Sequence, residues 1–273
     1  MSATIAGRAG RRAAGRPIAL AAAIAIAIFL ALLVLPVASL LLRVPPGALI
    51  ERLRSPLVMQ ALWLSLLTSL TSSLLVMGFG IPVAYLLATR TFAGKRALET
   101  LIDLPMVLPP TVAGVGLLLA FGRVGLIGRV LAPLGITIPF STAAVVLAQA
   151  FVAGPFFVNA ARAGFEAVEP QYLRAAATLR SSAAYTFLRV VLPLSFPALI
   201  AGAAMTWARA LGEFGATITF AGNLPGVTQT MPLAVYIALQ SDVEAAVALS
   251  VILLVFSFVL LLILRNLPGV AFR

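Results

Sequence analysis

The sequence predicts an all-α membrane protein: six transmembrane helices with a polar loop set between the fourth and the fifth. Three observations carry this. Of the 273 residues, 62% are hydrophobic and only 10% are charged, where a soluble domain holds roughly a quarter charged residues. The apolar residues fall into runs long enough to cross ~30 Å of hydrocarbon at ~1.5 Å per residue. Short segments between the runs hold almost all the cations, and the mean hydropathy is +1.12.

Taken in order, residues 1–17 form a basic tail with Arg8, Arg11, Arg12 and Arg16. The apolar run 18–42 is too long for the core of a signal peptide and reads as a retained first span. A polar connection with Pro45-Pro46, Glu51, Arg52 and Arg54 leads to a second span over 57–89, where Gly78, Gly80 and Pro82 predict a kink. The third span, 98–121, carries Asp103 near its start and is interrupted by Pro109-Pro110-Thr111. A Gly- and Pro-rich loop with Arg123 and Arg129 fills 122–140, and the fourth span covers 141–161. A fifth span runs over 190–220, a Pro/Gly/Thr-rich stretch over 222–242, and a sixth span over 244–264. The span domain therefore covers 18–265, with 266–273 as a short tail.

The loop 162–189 breaks the apolar pattern. Glu169-Pro170 starts a helix, with Pro at the first helical position where its missing N–H costs nothing. Helical spacing puts Tyr172, Ala176 and Leu179 on one side. Ser181-Ser182 offers an N-cap for a second short helix, which Pro193 kinks or ends. Two short helices outside the bilayer make a compact knob suited to docking on another protein.

Charge sets the orientation. With the N-terminus inside, thirteen Lys and Arg lie in cytoplasmic segments and five outside, so both termini and the knob face the cytoplasm. The net charge of +11 comes from these short loops and does not indicate nucleic acid. There are no Cys and no His, which excludes disulfides, thiolate metal sites, His catalysis and His proton relays. No catalytic residue and no metal site is expected. No GxxxxGK[ST] phosphate loop occurs, and Gly10 to Pro17 lacks its Lys-Ser/Thr, so the chain is not an ATPase.

Arg174-Ala175-Ala176, Arg180, Val190 and Leu192-Pro193 are spaced as in the EAA loop of ABC-importer permeases, which the loop resembles. Two positions depart from that pattern: Arg174 replaces its Glu, and Arg180 its Gly. Gly at that position often adopts the left-handed conformation after a helix, which is strained for Arg. The run 208–236 (ARALGEFGATITFAGNLPGVTQTMPLAVY) and the run 104–128 resemble the permeases of molybdate/tungstate importers, with sulfate permeases as near relatives. The resemblance implies a homodimer, two cytoplasmic ABC ATPase subunits that hold ATP and Mg, and an external substrate-binding protein that delivers molybdate or a similar oxyanion. This chain itself would bind no cofactor. Glu169, Tyr172, Arg174, Ala175, Ala176, Leu179, Arg180, Leu192 and Pro193 would then couple the permease to its ATPases.

Candidates for the path or gate are Pro110, Thr111, Arg209, Glu213, Thr217 and Thr219, and each has a plainer reading. Arg209 and Glu213, four apart, form either an ion pair that fixes packing or part of the path. The Pro109–Thr111 break is a packing kink or lines the pore. Thr217 and Thr219 serve either an oxyanion or their own backbone. Asp103 is solvated or paired with a loop Arg, and Arg123 and Arg129 are solvated or attract a dianion at the outer mouth. Sulfate, thiosulfate or tungstate is the alternative substrate, and a stand-alone secondary anion transporter the rival class. The latter usually needs intramembrane ionisable groups, and Arg209 and Glu213 are nearly all there are.

Overall fold

A computed structural model describes residues 3–265, and these are helices and connections without a strand. The helix α1 spans Ala3–Arg43, and its apolar part Leu20–Arg43 is long enough to cross a bilayer. A short helix α2, Pro46–Leu53, occupies the first polar connection. The 34-residue α3, Pro56–Thr89, is continuous across Gly78, Gly80 and Pro82. Gly80 gives close packing: a Cβ there would lie 2.8 Å from Phe157 Cδ1.

The third span is two helices, α4 (Lys95–Val107) and α5 (Pro110–Phe121), bent by 117° at Leu108-Pro109. Pro109 supplies no N–H and disfavours helical geometry at Leu108 before it, which ends α4. The loop beyond α5 holds one helical turn, α6 (Gly128–Leu131), continued by a 3₁₀ turn over Ala132–Leu134. The fourth span, α7, is Thr142–Glu166; the sequence reading ends it five residues earlier, at 161, because Arg162 and Glu166 are charged.

Whether the bent pair crosses follows from helix direction. On α3 and α7, Val76 neighbours Gly154, Gly80 neighbours Phe157 and Val158, and Tyr85 stacks edge-on with Phe165 at 5.6 Å. Residue numbers rise together, so the two helices run parallel. The α4–α5 pair must therefore carry the chain back across, and it counts as the third span of six.

The α7 helix also packs against the fifth span's main helix, α10 (Leu192–Leu211), with the opposite sense. A Cβ on Gly164 would meet Ala198, and one on Gly202 would meet Ala160 at 2.7 Å. Without a hydrophobic effect between helices in lipid, close approach of this kind is what holds spans together. The α3–α7–α10 layer buries Ala84, Leu87, Phe157, Ala161 and Leu199. On α3 it also buries Ser65, Thr68, Ser69, Ser72 and Ser73, several of which donate to their own helix backbone.

After α10 come α11 (Gly215–Ala221), α12 (Met231–Ser241) and the sixth span α13 (Val243–Arg265). The α12 helix occupies a stretch read from sequence as loop: its opening Thr-Met-Pro and apolar Leu233 and Ala234 bury it against α3 and α13. Asp242 caps α13, accepting the Ala245 N–H at 2.9 Å, and its other oxygen lies 3.2 Å from Arg52 Nη2 on α2.

The Ala245 N–H first, and the Arg52 guanidinium after it, hold the Asp242 carboxyl below its ordinary value. A depressed carboxylate contributes stability above its unfolded pKa and loses it as pH falls through the folded one. Asp242→Ala is expected to lower the thermal midpoint of the detergent-solubilised protein at neutral pH. It should also remove part of the further fall in acid, as measured by a thermal scan against pH.

Candidate coupling knob and intramembrane breaks

The knob is built as a rigid hairpin on aromatic roots. After α7, α8 (Pro170–Thr178) starts at Pro170 as the sequence predicts. It ends in a Schellman turn: Arg180 N–H donates to Ala177 O at 3.0 Å, and Ser181 N–H to Ala176 O at 3.1 Å. That turn needs a left-handed residue at its centre, and Arg180 adopts φ +54°. The geometry associated with Gly is thus kept by an arginine, at a cost of roughly 1–2 kcal/mol.

A second short helix, α9 (Ala183–Thr186), is capped by Ser182, whose hydroxyl accepts from Tyr185 N–H. It does not end at Pro193. A π-helical turn over Phe187–Val191 feeds directly into α10, so Pro193 lies within a continuous helix, just after the turn in which Leu192 N–H reaches back five residues to Phe187 O. Phe187 in that turn packs on Tyr85 of α3 at 4.6 Å and on Phe165 of α7 at 6.0 Å. Ser195 Oγ donates to Gly164 O at 3.1 Å, closing the root.

The expected single side of Tyr172, Ala176 and Leu179 divides in two. Ala176 is buried inside the hairpin, while Tyr172 and Leu179 are exposed, Leu179 by 82%. Glu169, which accepts from Gln171, is exposed, as are Arg174 and Ala175. Leu192 is half-buried and Pro193 exposed at the base. Tyr172 and Leu179 thus leave apolar surface beside Arg174 and Arg180 at the end of the hairpin.

The fifth span, read from sequence as continuous, is broken as well. Between α10 and α11 lie Gly212, Glu213 and Phe214. Glu213 is 1% exposed, its Oε1 accepts the Ala216 N–H at 2.9 Å, and its Oε2 lies 2.8 Å from Arg209 Nη1. The carboxylate therefore covers an N–H that the break leaves free at the start of α11, and the guanidinium balances its charge. Arg209 and Glu213 thus form an ion pair. Gly212 and Gly215 flanking a lone acid were the available sequence signal for the break.

The two breaks meet. A Cβ on Gly215 would lie 2.6 Å from Pro110 Cβ, and one on Gly114 would lie 2.6 Å from Thr219 Cβ. Thus α5 and α11 run parallel from adjoining breaks, over a core that includes Ala113, Ala216 and Phe220. Pro110 and Thr111 are exposed. Thr219 donates to Gly215 O, its own backbone, whereas Thr217 is fully buried with its hydroxyl unpartnered. Gln149 on α7, which the sequence reading passed over, is also fully buried with neither end of its amide paired. The α7–α10 register of 164 with 198 and 160 with 202 sets it level with Glu213.

Outside the breaks, Arg123 and Arg129 are both exposed, Arg129 Nε donating to Gly125 O. Asp103 accepts from Asn159 Nδ2 at 2.7 Å and makes no ion pair within 4.0 Å among the described residues.

Residues 80–268 match the family described as the binding-protein-dependent transport system inner membrane component. The chain belongs to that family. It is a multi-pass inner-membrane permease, and the matched segment takes in both breaks and the whole knob. Among related proteins, it is 44% identical to the molybdenum transport system permease protein ModB of Mycobacterium tuberculosis over 221 residues, 81% of this chain and 84% of that one. It is 36% identical to the molybdate/tungstate transport system permease protein WtpB of Thermococcus kodakarensis, over 81% and 83%. In fold it resembles a chain of a bacterial ABC transporter involved in import of the acidic polysaccharide alginate. That similarity has a TM-score of 0.76 at 14% identity, over 96% of this chain and 99% of the other.

Arg180→Gly is expected to stabilise this permease's knob by about 1 kcal/mol, because Gly meets the left-handed turn without Cβ strain. Slower protease cleavage within 170–190 at unchanged membrane insertion is the measurement.

Proposed function

We propose that the chain is the permease subunit of an ATP-driven importer of molybdate. The observation that carries the substrate is the 44% identity to molybdenum transport permeases over most of both chains. The permease works as a homodimer, two copies framing the oxyanion path. Two cytoplasmic ATPase subunits, which hold ATP and Mg, receive the two knobs, and an external binding protein delivers the substrate. The excess of cations on the knob side supports a cytoplasmic knob and cytoplasmic termini.

The chain's own residues divide the work. Tyr172, Leu179, Arg174 and Ala175, all exposed on the knob, make the ATPase contact, and Glu169 and Arg180 shape the hairpin. Leu192 and Pro193 join it to α10. In the membrane, Pro110 and Thr111 present an exposed break to the path. Arg209 and Glu213 hold the second break in register with it, and Thr217 and Thr219 lie behind. Tungstate is the second reading, favoured by the 36% identity to a molybdate/tungstate permease.

Reconstituting the permease with its ATPase and binding protein tests this: molybdate uptake should require ATP, and tungstate should compete. Uptake by the permease alone, driven by an ion gradient, would instead identify a secondary transporter. Within the complex, Ala175→Glu puts a charge on the docking surface and is expected to abolish substrate-stimulated ATP hydrolysis while the permease still inserts. Gly215→Ala forces its Cβ into Pro110 and parts the two breaks. Uptake should fall at least about tenfold, the scale of 1–3 kcal/mol of overpacking, with the ATPases still bound in a pull-down.

A further inference from the structure

Asp103 and Asn159 meet on the outside of the protomer at a depth where lipid would be costly company. Asn159 Nδ2 donates to Asp103 Oδ1 at 2.7 Å and lies 3.9 Å from Met106 Sδ. Asn159 and Met106 are exposed, and Asp103 is half-buried. The 25 residues of α7 measure about 37 Å, and Asn159 lies about 10 Å along from Glu166. A ~30 Å hydrocarbon layer centred on that helix leaves Asn159 about 7 Å inside it. Lys and Arg can snorkel over such a distance; the short Asp and Asn side chains cannot. An intramembrane carboxylate faces protein or water instead of lipid.

A second, independent feature lies beside this pair. Val107 ends α4, and the chain passes through exposed Pro109, Pro110 and Thr111 before α5 is established. Irregular backbone at membrane depth is tolerated where it is covered by protein or lines a water-filled cavity. Both features belong to α4. Nearer the knob side the α4–α7 seam is charge-balanced: Arg162 lies 2.8 Å from Glu99 and 2.7 Å from Glu166, and Lys95 3.9 Å from Glu99. Asp103, one level deeper, has an amide for its hydrogen-bond partner and no ion pair within 4.0 Å among the described residues.

We infer that the Asp103–Asn159 pair lines the water-filled, knob-side half of the path and gives that half a negative wall. The inference rests on the permease reading above. A fixed carboxylate there disfavours a dianion that lingers after passing the breaks, so the oxyanion leaves toward the cytoplasm instead of rebinding.

The chain has no cysteine, so one introduced thiol reports without background. Met106→Cys, beside the pair, would be treated in inside-out vesicles of the complete transporter with a cationic and an anionic methanethiosulfonate. The inference expects reaction with both, the cation favoured over the anion by on the order of tenfold relative to a free thiol in solution. Adding Asp103→Asn should remove that preference. Val107→Cys, exposed by 82%, serves as the second reporter if the first does not insert. Phe79→Cys, on the exposed face of α3, is the lipid-facing control. A Met106→Cys thiol as slow as that control overturns the inference, as does one that cross-links to its copy and excludes both reagents. A charge preference untouched by Asp103→Asn overturns the negative wall. Molybdate uptake by the same complex separates the failures: uptake beside an inert thiol discards only the placement, whereas no uptake by the unsubstituted complex discards the permease reading itself.

Discussion

An interrupted helix inside hydrocarbon leaves backbone N–H and C=O groups that no water can satisfy, and each costs several kcal/mol unless something covers it. The arrangement of this permease follows from meeting that demand twice, in one place. The break after Val107 and the break after Leu211 are packed together through Gly215 and Pro110. Glu213 supplies the acceptor that Ala216 N–H would otherwise lack, and Arg209 balances the charge. Small residues on α5 and α11 allow the backbones to approach closely enough for one break to shield the other. The parallel pairing of α3 with α7 is the frame that fixes this depth, because it forces the bent α4–α5 pair to cross.

The knob solves a different problem with the same economy of parts. It must project from the membrane yet not fold over, and its stiffness is local. A Schellman turn closes α8, a serine caps α9, and three aromatic rings from α3, α7 and the π turn clamp the base. Arg180 adopts the turn's left-handed conformation because two hydrogen bonds and the burial of Ala176 together outweigh the strain of its Cβ. The departure from Gly at this position thus changes the energy of the turn while its shape stays the same.

Much of this was legible in the sequence. Apolar run length gave the six spans, and Pro170 and Ser182 marked the two knob helices where the backbone places them. What escaped detection was tertiary. Hydropathy sees residues 190–220 as one run because Gly212 and Glu213 hardly lower its average, and only the fold shows Glu213 capping α11. The α12 helix was hidden among Pro, Gly and Thr because its burial, against α3 and α13, comes from elsewhere in the chain. Pro193 misled in the opposite direction: the helix runs on through it, with a π turn over Phe187–Val191 taking up the irregularity just before the Pro, where an end was expected. Gln149 carries no local signal at all, since a polar residue in an apolar span reads alike whether it is buried or not.

The two sites are joined by one element. The 20-residue α10 is about 30 Å of unbroken helix. It leaves the π turn at the foot of the knob and ends at Gly212, where Glu213 begins the second break. Gly164 and Gly202 seat it on α7 with the methyls of Ala198 and Ala160 set into the glycine notches, a contact that locks the two helices together against both tilting and sliding. Under the proposed coupling, a push on the knob would reach the break through α10 and the α7 helix locked to it. At the far end it meets the Arg209–Glu213 pair and, through Gly215, the exposed break at Pro110. Since Glu213 holds α11 by a single N–H and α11 holds α5 through small residues, a shift of α10 moves both breaks together or releases the cap between them. Either outcome would change the surface that Pro110 and Thr111 present, and on the proposed function this is how a nucleotide-binding partner would work the path.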